Sequence, residues 1–451
     1  MIARVLVANR GEVAVRVIRA CRELGIETVA VYSTADRDSL HVGLADRAVH
    51  IGPPSPARSY LNIASLVAAG NTTGCDAVHP GWGFLAENAA FARACEDNDL
   101  IFVGPTPETI ETMGDKVRAK EAAGAAGVPL VPGSDGPATL DEARALGAEI
   151  GFPLLLKAAA GGGGKGMRLV GAAEELETAF RMAAAEAESS FSNGALYVER
   201  AIVGARHVEI QVLGDGKGGV LTLGERECSV QRRHQKLVEE GPSPALTNEL
   251  RADMEEAARK ACQALDYRGA GTIEFLLDAD RRFYFIEMNT RLQVEHPVTE
   301  LLTGIDLARG QLAVAAGEGL PATGRAELGG HAIEFRINAE DPENDFRPAP
   351  GTVTRFRPPL GPGVRVDTHV FEGYRIPPFY DSLIAKVIVW AEDRPAALAR
   401  AHRALTELEL DGVPTTRNLG LAILESPAFQ SGEYTTGFIA ESAVELGLEA
   451  A

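Results

Sequence analysis

Cysteine is scarce in this 451-residue chain: Cys21, Cys75, Cys95, Cys228 and Cys262 are an odd number and form no CxxC pair. That argues against a disulfide framework and a zinc ribbon, and it points to a reducing, cytoplasmic setting. Long apolar runs are missing too. No stretch reaches membrane-spanning length, and the start, Met1-Ile2-Ala3-Arg4-Val5-Leu6-Val7-Ala8-Asn9-Arg10, places arginines around an apolar run too short for a signal sequence. Basic residues are in deficit, 44 Lys and Arg against 63 Asp and Glu, a net charge of -19. Such a chain repels nucleic acid and anionic membrane, so any phosphate it binds must be held by a local basic cluster. What is present, 45% hydrophobic residues over 451 positions, suffices for about three globular domains.

The first hundred residues alternate short β-branched runs with helical patterns. Val5-Leu6-Val7-Ala8, a helix over residues 12–24, and Thr28-Val29-Ala30-Val31-Tyr32 read as a doubly wound α/β unit. Asp76-Ala77-Val78, a helix over 87–97 and Ile101-Phe102-Val103-Gly104 continue it, and Pro105 and Pro107 then punctuate the chain. We place the N-terminal domain at residues 1–113. A central domain over 114–316 follows, strand-rich from His207 to Glu287 with one long helix at 248–265. Residues 317–330, with Pro321 and Gly324, read as a linker, and an α+β domain spans 331–447. The expected fold is thus multidomain, α/β followed by α+β.

Three constellations carry chemistry. Gly161-Gly162-Gly163-Gly164-Lys165-Gly166 follows the apolar run Phe152-Pro153-Leu154-Leu155-Leu156 and Lys157. Glycines let backbone N–H groups close on an anion, and the flanking lysines favour phosphate over a flexible linker. It is no Walker A loop, because Gly166 stands where Ser or Thr should follow the lysine. The second is a hairpin of Thr272-Ile273-Glu274-Phe275-Leu276-Leu277 and Phe283-Tyr284-Phe285-Ile286-Glu287-Met288. Pairing Asp278 with Phe283 puts Glu274 opposite Glu287. Opposed like charges destabilise a sheet unless a divalent cation lies between them, and Asn289 is placed to add a third oxygen. In the polar run that follows, Arg291 offers a fork for a small oxyanion and Glu295 a base. The basic cluster Arg226, Arg232, Arg233, His234 and Lys236 reads equally as an anion site or as a salt-bridged surface loop; Cys228 inside it reads as packing.

These runs, in this order, resemble the biotin carboxylase family of ATP-grasp enzymes. The resemblance rests on Ala8-Asn9-Arg10-Gly11-Glu12, His79-Pro80-Gly81-Trp82-Gly83-Phe84-Leu85, Met113-Gly114-Asp115-Lys116, the 161–166 loop and Arg206-His207-Val208-Glu209. Further matches are Gln231-Arg232-Arg233-His234-Gln235-Lys236, Glu287-Met288-Asn289-Thr290-Arg291, Val294-Glu295-His296-Pro297 and Arg336-Ile337-Asn338-Ala339-Glu340. It implies a central ATP-grasp domain with a mobile lid within about residues 130–202. Lys116, Lys157, Gly163, Gly164, His207, Gln231 and His234 would contact ATP, with Glu199, Arg200, Ala201 and Ile202 at the adenine edge. Glu274, Glu287 and Asn289 would carry Mg²⁺ or Mn²⁺. Lys236, Arg291, Gln293 and Val294 would hold bicarbonate, Glu295 would deprotonate it, and Arg336 would bind biotin and stabilise its ureido enolate. The implied intermediate is carboxyphosphate. Trp82 stands where tyrosine is expected, Lys165 where some members have arginine, and Arg200 where many have lysine. None of the methionines lies in a Met-Lys-Met biotin site, so the resemblance implies biotin delivered by a separate carrier protein, with carboxyltransferase subunits as further partners and a homodimer as the assembly. The alternatives are another ATP-grasp carboxylate–amine ligase, which would lack the Arg291, Glu295 and Arg336 set, and a non-catalytic ATP-binding subunit.

Overall fold

The computed structural model describes residues 2–159, 167–191 and 193–448. The glycine loop at 161–166, with Gly163, Gly164 and Lys165, lies outside the described residues.

Strands β1 (Arg4–Val7), β2 (Glu27–Ser33), β3 (Arg47–Gly52), β4 (Ala77–His79) and β5 (Ile101–Phe102) form a parallel sheet in the order β3-β2-β1-β4-β5. The order reverses beside β1, so the loops after β1 and β4 leave in opposite directions at the sheet's carboxyl edge, the place where α/β sheets commonly bind ligands. Asn9 Nδ2 ties them together by donating to Pro80 O at 2.7 Å and Trp82 O at 2.8 Å. Gly11, at φ +68°, starts the helix Gly11–Glu23 in a left-handed conformation that L side chains rarely adopt. This is the expected doubly wound unit.

A small antiparallel sheet comes next, β6 (Leu154–Ala158) flanked by β7 (Met167–Val170) and β8 (Leu196–Arg200). Helices Leu140–Ile150 and Ala173–Phe191 cover it and share a separate core of Leu154, Leu156, Val170, Leu176 and Val198. The segment leading into it bridges Glu199 of the sheet through Gly133 and Phe285 of the neighbouring unit through Leu130.

The large sheet holds β9 (Arg206–Asp215), β10 (Val220–Arg232), β11 (Gln235–Gly241), β12 (Arg268–Leu277) and β13 (Phe283–Asn289) in the order β13-β12-β9-β10-β11. Alternation along β9 explains its two faces. Val208, Ile210 and Val212 pack under helix Asn248–Ala264, while Glu209 and Gln211 point to the opposite face, where the candidate site lies. The expected linker is not free chain. Gly324–Arg325, β14, pairs in parallel with β10, and Arg325 forms an ion pair with the buried Glu255. The C-terminal unit shares the same sheet: β15 (His331–Asn338) pairs with β11, and strands Leu383–Ala391 and Val364–Thr368 extend it.

Candidate active site

The β12–β13 hairpin opposes Glu274 and Glu287, by a route different from the expected one. Leu277, not Asp278, pairs with Phe283, a register one residue out; a bulge between Glu274 and Phe275 restores the opposition. The two carboxylates are not equivalent. Glu274 is buried and receives Lys236 Nζ at 3.0 Å and Asn289 Nδ2 at 2.8 Å, with His207 Nε2 at ion-pair distance, 2.9 Å. Burial would raise its pKa, but Lys236 and His207 carry it far below the carboxylate range. Glu287 faces the cleft with no ion-pair partner among the described residues, and desolvation with the Glu274 charge raises its pKa against the pull of Lys116. Opposed charge therefore calls for a metal at Glu287 alone, since cations already compensate Glu274. The donor set still fits a hard divalent cation, with two facing carboxylates and an amide oxygen at the mouth of the cleft. Asn289 Oδ1 is now held by Arg291 Nη2 at 3.0 Å and would have to exchange partners.

Lys236 is the centre of the buried charge cluster. Its ammonium reaches Glu209 at 2.5 Å, Glu274 at 3.0 Å and Glu295 at 2.6 Å, and these carboxylates hold its pKa well above the lysine range despite burial. Glu295 also accepts Arg336 Nη2 at 2.9 Å. Fully buried, it would be hard to ionise, yet Lys236, Arg336 and Arg226 keep it well below the usual range. His207 is the converse case, since burial depresses it but the Glu274 carboxylate wins and raises it.

Arg291 Nε donates to Glu87 at 2.7 Å, and its Nη1 to Gln293 at 2.9 Å. Val294 O accepts Lys386 Nζ at 2.8 Å. The buried Glu199 of the small sheet pairs with Lys157 of the same sheet and with Lys120 from helix Lys116–Ala125, leaving Arg200 and Ile202 partly open and Ala201 buried. Gln231 lies opposite Lys236, and His234 occupies the exposed tip of the β10–β11 hairpin. Arg233 and His234 both have positive φ, 48° and 67°, as a two-residue hairpin requires, at about 1–2 kcal/mol each for L residues. A C-terminal loop offsets that cost: Asp345 pairs with Arg232 and Arg233, and Arg232 stacks 4.2 Å over Phe346.

The basic cluster thus splits. Arg232 and Arg233 form the salt-bridged loop, Lys236 enters the cleft, and Arg226 does neither. Arg226 is fully buried and donates to Glu209 at 2.6 Å and to Gln211 and Thr299 at 2.7 Å each. Sequence reasoning gave no role to Glu87, Lys120, Glu209 or Lys386. Glu209 lay inside a motif already singled out; the others act across strands or domains and leave no local signal. Cys228 is fully buried, as a packing residue would be, and its sulfur lies within 4.8 Å of carboxylate oxygens of Glu209 and Glu295.

Three family models cover the chain: biotin carboxylase, N-terminal domain, over residues 1–110; carbamoyl-phosphate synthase L chain, ATP binding domain, over 115–323; and biotin carboxylase C-terminal domain over 334–441. The chain is 55% identical to the biotin carboxylase of Nostoc sp., over 97% of this chain and 98% of that protein. It is 50% identical to a subunit of pyruvate carboxylase from Methanothermobacter thermautotrophicus, over 98% and 90%. Among solved structures, the biotin carboxylase–β-γ-ATP complex from Campylobacter jejuni is 46% identical at a TM-score of 0.92, covering 98% of this chain and 99% of that one. The biotin carboxylase domain dimer of Hydrogenobacter thermophilus 2-oxoglutarate carboxylase, in complex with MgADP, ADP and bicarbonate, is 47% identical at 0.91, covering 99% of both chains. With three family models in sequence along it and relatives matched over almost their whole length, the chain belongs to the biotin carboxylase family.

Proposed function

We propose that this chain carboxylates biotin at the expense of ATP, with bicarbonate as the carbon source, the first half-reaction of a biotin-dependent carboxylase. The observation that carries the reading is Glu295, held between Lys236 at 2.6 Å and Arg336 at 2.9 Å on the sheet face that also bears Glu274 and Glu287. A base, two fixed cations and a carboxylate pair for a metal–nucleotide complex thus meet in one cleft.

Lys236, Arg291 with Gln293, and the Val294 backbone hold bicarbonate. Glu295 as it stands is too strongly ionised to be a good base. Bicarbonate entering between it and Lys236 takes over part of the lysine's charge, raises the proton affinity of Glu295 and lets it accept the bicarbonate proton. The freed oxygen attacks the γ-phosphorus, the bond to ADP breaks, and carboxyphosphate forms. Glu274, Glu287 and Asn289 would hold Mg²⁺ or Mn²⁺, which neutralises charge on the phosphates; transfer of this kind needs positioned cations more than covalent help. Lys116, Lys157, His207, Gln231, His234 and the 161–166 loop hold the nucleotide, and Glu199 to Ile202 flank its base. Carboxyphosphate then splits into CO₂ and phosphate, phosphate takes the proton from the ureido nitrogen, and Arg336 stabilises the charge left on the ureido oxygen while nitrogen attacks CO₂.

Biotin arrives on a separate carrier protein, a separate carboxyltransferase consumes the product, and the chain works as a homodimer. Relatives from a pyruvate carboxylase and from a 2-oxoglutarate carboxylase both align over almost the whole chain, which supports an acceptor chosen by that partner. Domain limits of 1–113, 114–316 with a closing lid at about 130–202, and 331–447 complete the reading; the separate core under the small sheet supports such a lid. In the described residues no helix is long and apolar enough to cross a membrane. The test is ADP release with Mg²⁺ and ATP, omitting bicarbonate and free biotin in turn. Release that rises only with both supports the reading; release that ignores biotin but needs an amine or another carboxylate overturns it.

A further inference from the structure

Behind Arg336 the sheet carries two carboxyl groups that the reaction as drawn does not use. Glu239 on β11 and Glu334 on β15 are direct cross-strand partners, both fully buried, on the face that also bears Arg336. Glu239 Oε1 accepts Arg336 Nε at 2.6 Å, while its Oε2 and both oxygens of Glu334 are buried without a hydrogen-bond partner among the described residues. Side chains directly opposed in an antiparallel pair start about 4.5–5.5 Å apart at Cβ, so two ionised carboxylates here repel each other where water cannot screen them.

The surrounding charges do not relieve this. Facing the pair are Arg336 from β15, Lys236 and the Cys228 thiol from the β10–β11 hairpin, Glu295 from the loop before helix His296–Thr303, and Lys386 from strand Leu383–Ala391. Arg336 serves Glu239 and Glu295. Lys386 directs its ammonium to Val294 O at 2.8 Å, with Glu12 at 3.3 Å and Asp367 at 3.9 Å. Glu334 is left beside the acidic Glu239 and Glu295 with no donor of its own among the described residues. A proton is the smallest occupant that satisfies this geometry, because a protonated carboxyl can donate to the idle Glu239 oxygen.

We propose that Glu239 and Glu334 form a one-proton carboxyl pair in which Glu334 keeps the proton and Glu239 the charge, and that this charge fixes the Arg336 guanidinium toward Glu295 and the ureido oxygen. Both are positioning residues, and the inference rests on the role given to Arg336 above. Burial raises both groups, but Arg336 opposes the rise at Glu239, to about 7, more effectively than Lys386 does at Glu334, which places the proton on Glu334. Loss of that proton at alkaline pH puts a second anion behind Arg336 and draws it away from the reacting atoms.

The test is kcat/KM for free biotin against pH in the full chain, wild type, Glu239→Gln and Glu334→Gln, with ADP affinity measured in parallel. Glu239→Gln should lower kcat/KM for biotin roughly tenfold to a hundredfold while ADP affinity is retained, as expected for loosening a charge-stabilising donor. Glu334→Gln, which cannot ionise, should lose the wild type's alkaline decline. Wild-type kcat/KM in Glu239→Gln, or superimposed alkaline limbs for Glu334→Gln and wild type, overturns the proposal. Infrared difference spectra of wild type against Glu334→Gln at neutral pH provide a check independent of turnover: the carbonyl stretch of an un-ionised carboxylic acid should be present in the wild type and lost in the variant, and a difference spectrum without that band also overturns the proposal. A wild type without any biotin-dependent ADP release removes the functional reading instead, while the infrared band still decides the pair.

Discussion

Replacing Arg226 by methionine removes the cation that joins three strands and a helix beneath the cleft. The arginine donates to Glu209 on β9 at 2.6 Å, Gln211 on β9 and Thr299 on helix His296–Thr303 at 2.7 Å each, and Thr272 on β12 at 3.2 Å. Methionine keeps most of the apolar bulk but leaves Glu209 with Lys236 alone and strands the Gln211 carbonyl. Removing one partner of a buried ion pair costs about 3–5 kcal/mol. For a unit of this size each kcal/mol moves the thermal midpoint by about 2–4 °C, so a drop on the order of 6–20 °C is expected. Differential scanning calorimetry at neutral pH reads it, with Arg233→Met as the control. Arg233 is 67% exposed and pairs with an exposed Asp345, where loss of an ion pair costs at most about 1 kcal/mol. Arg226→Lys should fall between, because an ammonium cannot reproduce the fork. If Arg226→Met melts with Arg233→Met, the network contributes no stability and the reasoning is refuted.

Glu295→Gln should fold and bind ADP yet lose bicarbonate-dependent ADP release; normal turnover rejects Glu295 as the base. Glu287→Gln should raise the Mg²⁺ concentration needed for half-maximal activity, and an unchanged titration removes Glu287 from the ligand set. Burial pushes His41 and His79 down to about 4 and His369 to about 3, from an ordinary 6.5. Below 6.5 the unfolded chain takes up protons that the folded chain refuses, so stability is complete above that pH and is lost as pH falls toward about 4. At pH 5 the loss is about 2 kcal/mol per histidine. A thermal midpoint that stays flat from pH 7.5 to pH 5 contradicts this.

Much of the frame was legible in the sequence because it is local. Short apolar runs and helical patterns mark β1, β2, β4 and β5 and the helices near residues 12–24 and 87–97, though not the edge strand β3 or the helix Ile63–Thr73, and the spacing from Glu274 to Glu287 gave their opposition even though the register at the turn was misplaced. The bulge that corrected it has no signature at Glu274 or Phe275. The sheet's continuation from β11 into β15 was illegible, since strands written some ninety residues apart carry nothing that says they pair. The inward roles of Arg226, Glu239 and Glu334 were invisible for a related reason. A charged residue in a strand reads as solvent-facing, and only tertiary packing turns it inward. Arg291 and Glu295 stood out by their place in the polar run after Glu287, and Arg336 through resemblance alone, whereas Glu87 and Lys386, which hold the Arg291 side chain and the Val294 carbonyl, come from other units of the chain.

The single sheet that runs from the hairpin of carboxylates into the C-terminal strands bears on how the chain can be divided. Val238 to Gly241 meets Phe335 to Ala332 in register, so a cut in residues 317–330 severs no strand pairing of the main ladder but leaves each half with a bare hydrogen-bonding edge. Each fragment alone would present a template for misassembly. Together, the halves carry matching edges with Glu239 on one and Arg336 on the other, so cleavage at this point should yield fragments that reassemble with each other and recover Arg336 only when they do.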